Sequence, residues 1–160
     1  GIAKVPEDIT DVIVLYGDDS YLYSEEVLKK IINTHIIEDA EFTLLTIKVD
    51  NPQGLGRVVR DESGGIEDII EEKDATLEQK KIKEINPNCY IFKFEFLKKY
   101  LPEIDKSPVT GEYYLTALIR IAVAKNEKIK VIDGGYLPWK GVNTIEELEE
   151  AEKLVKMIKK

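Results

Sequence analysis

Sulfur and imidazole are nearly missing from this chain: its 160 residues include one cysteine, Cys89, and one histidine, His35. A lone cysteine closes no internal disulfide, so the reducing cytoplasm is the expected compartment. A lone histidine excludes any multi-histidine metal centre. Long apolar runs are lacking too. The longest, such as Val12 to Tyr16 and Phe42 to Thr46, fall far short of the about 18 residues that a membrane-crossing helix needs. The first residues carry no basic-then-apolar secretory pattern, so no membrane partner is expected. Positive charge is in deficit, with 23 Lys and Arg against 31 Asp and Glu and a formal net charge of −8. Nucleic-acid affinity comes mostly from Lys and Arg neutralising phosphates, so nucleic acid is excluded as a partner. A phosphorylated ligand would have to be held by something other than net charge.

What is present is the composition of one soluble globular domain, 43% hydrophobic and 34% charged. Val12-Ile13-Val14-Leu15 reads as a short buried strand that stops in a polar turn, Tyr16-Gly17-Asp18-Asp19-Ser20. Ser24 caps a helix expected to run to about Asn33, with Val27, Leu28, Ile31 and Ile32 at helical spacing. Phe42 to Val49 is the next strand, and Asn51-Pro52-Gln53-Gly54-Leu55-Gly56 is a loop. Two extended runs, Arg57 to Asp61 and Ile66 to Glu72, are joined by Ser63-Gly64-Gly65 as an antiparallel hairpin. Thr76-Leu77-Glu78-Gln79 has capping-box spacing and predicts a short helix to about Lys83. A strand over Cys89 to Phe94 and helices over Phe96 to Ile104 and Glu112 to Lys125 follow. After a strand from Lys128 to Ile132, a second capping box at Thr144 opens a final helix with Leu148, Ala151, Leu154, Val155 and Ile158 facing inward. Strands alternating with helices indicate an α/β fold, and the hairpin makes its sheet mixed.

In open α/β sheets, ligands bind outside the carboxyl ends of the strands. Asp18 and Asp19 stand at such an exit, where a carboxylate can hold magnesium with waters and substrate phosphates completing the octahedron. By itself Gly17-Asp18-Asp19-Ser20 is ordinary turn chemistry. Gly54 and Gly56 either let backbone approach a ligand closely or simply connect strands. Glu71, Glu72 and Asp74 form an acidic run whose default meaning is a solvated face. Asn86, forced towards extended geometry by Pro87, offers donors and acceptors for sugar hydroxyls or serves as a turn former. Gly111-Glu112-Tyr113-Tyr114 is expected to open a helix with one aromatic inward and one outward. Asn143 is either a helix cap or a neutral metal ligand, and Thr144 is the better box residue. Nothing resembling a nucleophile-and-base pair surrounds Cys89 or His35.

Taken in order, these segments are more specific. Leu15-Tyr16-Gly17-Asp18, Asn51-Pro52-Gln53-Gly54-Leu55-Gly56-Arg57, Glu71-Glu72-Lys73-Asp74-Ala75-Thr76, Glu84-Ile85-Asn86, Gly111-Glu112-Tyr113-Tyr114-Leu115-Thr116 and Gly141-Val142-Asn143 resemble the ordered blocks of N-acetylglucosamine-1-phosphate uridyltransferases. The resemblance implies a Rossmann-like nucleotidyltransferase fold with a mixed sheet, and an activity joining a sugar 1-phosphate to a nucleoside triphosphate with release of pyrophosphate. The product would be UDP-N-acetylglucosamine, a cell-wall precursor. By the same likeness, Asp18 and Asn143 match the family's magnesium ligands, while Gly54, Glu71 and Asn86 match positions that hold the amino sugar. Magnesium would then explain how a domain of negative charge handles polyanionic substrates.

The sequence departs from the pattern at Leu55, at Asn86-Pro87-Asn88 in place of Asn-Thr-Gly, and at Ala117 where the family has Asp. Nothing before Tyr16 resembles the family's glycine-rich nucleotide loop. The expectation is therefore a single unit over residues 1–160, truncated at its amino end and forming the sugar- and metal-binding part of a nucleotidyltransferase domain, inactive as a transferase on its own. Two alternatives stand beside it: a thymidylyl- or guanylyltransferase of another hexose phosphate, and a non-catalytic binding module.

Overall fold

The strand Phe42–Lys48 is buried at every position but its last, with Thr43 and Thr46 among apolar neighbours, which is the pattern of a strand covered on both faces. The computed structural model describes residues 2–19, 21, 23–136, 139, 141–142 and 144–158, without the side chains of Ala3, Met157 and Ile158. In chain order the elements are β1 (Asp11–Leu15), α1 (Glu25–Glu38), β2 (Phe42–Lys48), β3 (Arg57–Arg60), β4 (Ile66–Ile70), β5 (Glu84–Ile85), β6 (Cys89–Lys93), α2 (Phe94–Tyr100), α3 (Ala117–Ala124), β7 (Ile129–Tyr136) and α4 (Ile145–Ile158). Seven strands form one sheet in the order β1-β6-β2-β5-β3-β4, with β7 paired to β2. Only the β2–β7 pairing is parallel, so the sheet is mixed, as the hairpin implied.

The two-residue period of the strands divides the core. Phe42 and Leu44 of β2 and Tyr90 and Phe92 of β6 face α2 and α3, where they pack with Phe96, Leu97, Tyr100, Leu118 and Ile119. Leu45 and Ile47, with Cys89 and Ile91, face α1 and pack against Ile31. The single histidine belongs to this second layer. His35 is buried, with Nδ1 2.8 Å from Thr43 Oγ1 and Nε2 3.0 Å from Asp11 Oδ1, so α1 is tied to β2 and β1. No helix among the described residues is long and apolar enough to cross a membrane.

Several boundaries differ from the sequence reading. Ser24 caps α1 as expected, accepting from the Val27 amide at 3.2 Å, but the helix continues to Glu38 and ends on Asp39 in the left-handed conformation. The Thr76–Gln79 box forms, with Thr76 N to Gln79 Oε1 at 2.9 Å and Gln79 N to Thr76 Oγ1 at 3.3 Å. Only a 3₁₀ turn over Gln79–Lys81 follows, because Glu84 and Ile85 are taken by pairing with β2. The helix expected over Phe96 to Ile104 is α2, which starts at Phe94, ends at Tyr100 and passes into a 3₁₀ turn containing Pro102. The helix expected from Glu112 begins only at Ala117, since Tyr113 bridges to Lys106 and holds the preceding residues in a loop. Tyr113 and Tyr114 therefore do not open a helix. The Thr144 box holds, with Glu147 N to Thr144 Oγ1 at 3.2 Å. In α4, Ala151 is buried as expected, but Leu148 is about half exposed rather than inward.

Candidate functional site

The register gathers the strand ends at one edge. Leu15, the last residue of β1, pairs with Cys89, the first of β6. Arg57, the first of β3, pairs with both Ile85 of β5 and Ile70 of β4. Each of Asp18, Gly54, Glu71 and Asn86 lies within three residues of one of these ends, so the sheet places them along the same rim. Of the five residues singled out by resemblance, four are described, and Asn143 lies outside the described residues. Its distance from Asp18 is therefore not part of the geometry below, although Val142 is. The Val142 amide donates to the Asp18 carbonyl at 3.0 Å, which brings the segment before α4 to the exit of β1.

Glu71 leaves β4 half-buried, and Thr116 Oγ1 donates to its Oε1 at 2.9 Å. Burial raises its pKa against the opposing effect of that hydroxyl, and the Asp74 carboxylate raises it further. Gly56 stands directly beside it: a Cβ there would lie 3.0 Å from Ile69 Cγ2, which would have to give by a few tenths of an ångström, and in ordinary contact with Glu71 Oε2 at 3.5 Å. Gly54 has φ +82°, which disfavours any residue with a Cβ, and its amide donates to Glu72. The loop closes over a buried ion pair. Arg57 has almost no exposed surface, and it donates to Glu72 Oε2 at 2.6 Å and to the carbonyl of Leu55.

Asn86 is buried and already engaged. Its Nδ2 donates to the Leu45 carbonyl at 2.7 Å, while its Oδ1 accepts from the Asn88 amide at 3.2 Å, so the turn-forming role read from the sequence is real. Asn88 has φ +54°, a left-handed conformation that asparagine tolerates better than most residues. The replacement of Asn-Thr-Gly by Asn-Pro-Asn thus keeps a residue able to take that backbone shape.

Asp18 is partly exposed, and its neighbour Asp19 has no exposed surface. Trp139 Nε1 donates to Asp19 Oδ2 at 3.2 Å, the Tyr23 hydroxyl lies 3.4 Å from Oδ1, and the Asn88 side chain also donates to the carboxylate. Burial pushes the Asp19 carboxyl up to about 6, Trp139 opposes this, and Asp18 adds to it. Tyr16 feels the same field: burial raises its hydroxyl, with Glu71, Asp18 and Asp19 contributing in that order. Among the described residues no Lys or Arg forms an ion pair with Asp18, Asp19 or Glu71. These carboxylates lie along the rim with no described ion-pair partner.

Thr116, Tyr23 and Trp139 have no role in the sequence reading, and Asp19 figures there only beside Asp18 as a carboxylate at the strand exit. Thr116 lay inside a quoted block, which is the signal that pointed to it. Tyr23 and Trp139 carry no local pattern, because Tyr23 reaches Pro87 across 64 residues and Trp139 reaches Asp19 across 120.

With a mixed sheet, helices on both faces and an acidic rim at the strand ends, the comparisons fall into place. Residues 2–157 match the nucleotidyl transferase family, and the chain belongs to it. Over 145 residues, 91% of the chain, it is 39% identical to the bifunctional protein GlmU of Caldanaerobacter subterraneus subsp. tengcongensis, of which it covers 32%. It is 39% identical over 98% of its length to the bifunctional protein GlmU of Caldicellulosiruptor saccharolyticus, covering 34% of that protein. It is 47% identical over 75% of its length to the bifunctional protein GlmU of Francisella tularensis subsp. novicida, covering 26%. The chain thus spans about a third or less of the length of these relatives. A crystal structure of a putative glucose-1-phosphate thymidylyltransferase from Bacillus anthracis in complex with a sucrose shares the fold, with a TM-score of 0.68 at 18% identity over 92% of this chain and 55% of that one.

Proposed function

We propose that this chain is the sugar- and metal-binding part of a uridylyltransferase that forms UDP-N-acetylglucosamine and pyrophosphate from UTP and N-acetylglucosamine 1-phosphate in the cytoplasm. The observation that carries the reading is the convergence of Asp18, Gly54, Glu71 and Asn86 on one rim, in a chain 39–47% identical to three proteins named GlmU. Gly54, Glu71 and Asn86 hold the amino sugar, and Asp18 with Asn143 holds magnesium.

The donor set fits such an ion. Asp18 offers a partly exposed carboxylate, and among the described residues no group of three Asp, Glu, His or Cys side chains converges to chelate a metal. Magnesium accepts such sparse ligation, because it commonly takes one or two protein oxygens and keeps waters and substrate phosphates. When bound, it neutralises charge on the phosphates as the α-phosphorus is attacked in line by the sugar phosphate. The chain's own part is alignment. Glu71 accepts from a sugar hydroxyl or amide while Thr116 fixes its rotamer, and the glycines allow backbone amides to approach.

Titration calorimetry of the chain with UDP-N-acetylglucosamine, with and without magnesium, tests the reading. Binding that strengthens with magnesium, and loses that gain in Asp18→Ala without loss of fold, is expected. Magnesium-independent binding in both proteins would overturn the metal assignment.

A further inference from the structure

A carboxylate with no exposed surface and no described cationic partner is a costly thing to place at the end of a strand, where an apolar side chain of similar size would fill the space more cheaply. Asp19 is such a group. Its donors are neutral and come from three separate stretches of chain. Trp139 approaches from the segment before α4, Tyr23 from the segment before α1, and Asn88 from the turn that carries Asn86. Tyr23 bears on the last link: its hydroxyl stands between the Pro87 carbonyl, the nearer acceptor, and Asp19 Oδ1 at 3.4 Å, and its one proton serves one of them at a time.

The pairing with Trp139 has a second point of attachment. Val142, three residues further on, donates its amide to the carbonyl of Asp18. Residues 139 and 142 are thereby fastened to residues 19 and 18.

We infer that Asp19 is a positioning residue: by gripping Trp139 on one side and the Asn88 turn on the other, it sets Val142 against Asp18 and sets Asn86 at the same rim. It touches neither substrate nor metal in this role. The inference that this placement serves ligand binding rests on the reading of Asp18 and Asn143 as metal ligands.

Asp19→Leu fills the site but accepts no hydrogen bond. Asp19→Asn keeps an oxygen acceptor for the indole, and Trp139→Phe removes only the donor. Three quantities are measured on the whole chain: thermal stability, amide hydrogen exchange at Val142, and Mn2+ affinity by proton relaxation. The chain has one tryptophan, so its emission reports directly on the Asp19 contact. In Asp19→Leu and Trp139→Phe, Val142 exchange is expected to rise roughly tenfold or more while stability stays near that of the parent chain. Mn2+ affinity should fall by roughly tenfold in the same variants, and Asp19→Asn should restore both readings. Unchanged protection of Val142 in both variants would overturn the inference. Losses that merely follow a drop in thermal stability, and that Asp19→Asn shares, would overturn it equally, because they describe a structural residue. The two readings fail separately. If Asp18→Ala leaves Mn2+ binding intact, or if the parent chain binds no Mn2+, the metal assignment falls, and Val142 exchange still decides the role of Asp19.

Discussion

The hydroxyl of Thr116, one residue before α3, donates to the carboxylate of Glu71, one residue after β4, across 2.9 Å and 45 residues of sequence. This contact joins the α3 side of the fold to the acidic rim and gives the half-buried carboxylate its one described donor from a side chain. Thr116→Val keeps the shape and deletes the donor. It is expected to cost about 1 to 3 kcal/mol of stability, the range for leaving a buried polar group unsatisfied. Chemical denaturation of the two proteins measures it.

Glu71 also predicts a pH dependence. Its folded-state pKa lies above the ordinary glutamate value of 4.5, chiefly because of burial, so folding favours the protonated form. That contribution is complete below the unfolded value and is lost as pH rises through the folded one. Glu71→Gln is neutral throughout, so its stability relative to the parent chain should improve as pH is raised from about 4 to about 8. Melting temperatures across that range check the sign, and a difference that stays flat would contradict it.

The buried ion pair beneath the Gly54 loop is asymmetric. Arg57 is 2% exposed in its side chain and Glu72 is 25% exposed, so only the carboxylate has water to fall back on. Glu72→Ala strands a buried guanidinium and is expected to cost about 3 to 5 kcal/mol. Arg57→Met leaves a carboxylate that can hydrate and should cost less, about 1 to 3 kcal/mol. Denaturation midpoints should rank the variants in that order.

Cys89, the first residue of β6, is buried in the layer that Ile31 of α1 covers, and its thiol is pushed up to about 12, first by burial and then by Asp19. The native protein should therefore resist thiol reagents near neutral pH, and one thiol should react once guanidinium unfolds it. Rapid reaction of the native chain would place Cys89 outside the core.

Local pattern carried most of the fold because it names elements by their own residues. The Ser24 cap and the Thr144 box sit in the structure where the spacing puts them, and the run at Val12 forms a strand. That strand is not the buried one its apolar residues suggest: β1 lies at the end of the strand order, paired only with β6 among the described strands, and Ile13 and Leu15 are exposed. The Thr76 box shows the limit of such signals. It forms its two hydrogen bonds, yet no α-helix follows, since the pairing of Glu84 and Ile85 with β2 takes the chain away. The same holds at Tyr113, where a bridge to Lys106 overrides helical periodicity. At the site, Asp18, Glu71 and Asn86 were legible because they end strands in blocks of recognisable order. The grip of Trp139 on Asp19 was not, since it joins residues 120 apart and neither has a neighbour that hints at the other.

Sugar discrimination goes to the centre of the proposed function. Titration calorimetry of the chain with N-acetylglucosamine 1-phosphate and with glucose 1-phosphate, each with magnesium, compares the two at one site. If Glu71 and Asn86 hold the amino sugar, the acetamido sugar binds at least about tenfold more tightly, the order of discrimination a buried hydrogen-bonding pocket gives. That preference should vanish in Glu71→Ala. Equal affinity, or tighter binding of glucose 1-phosphate, would contradict the assignment to a uridylyltransferase of N-acetylglucosamine 1-phosphate.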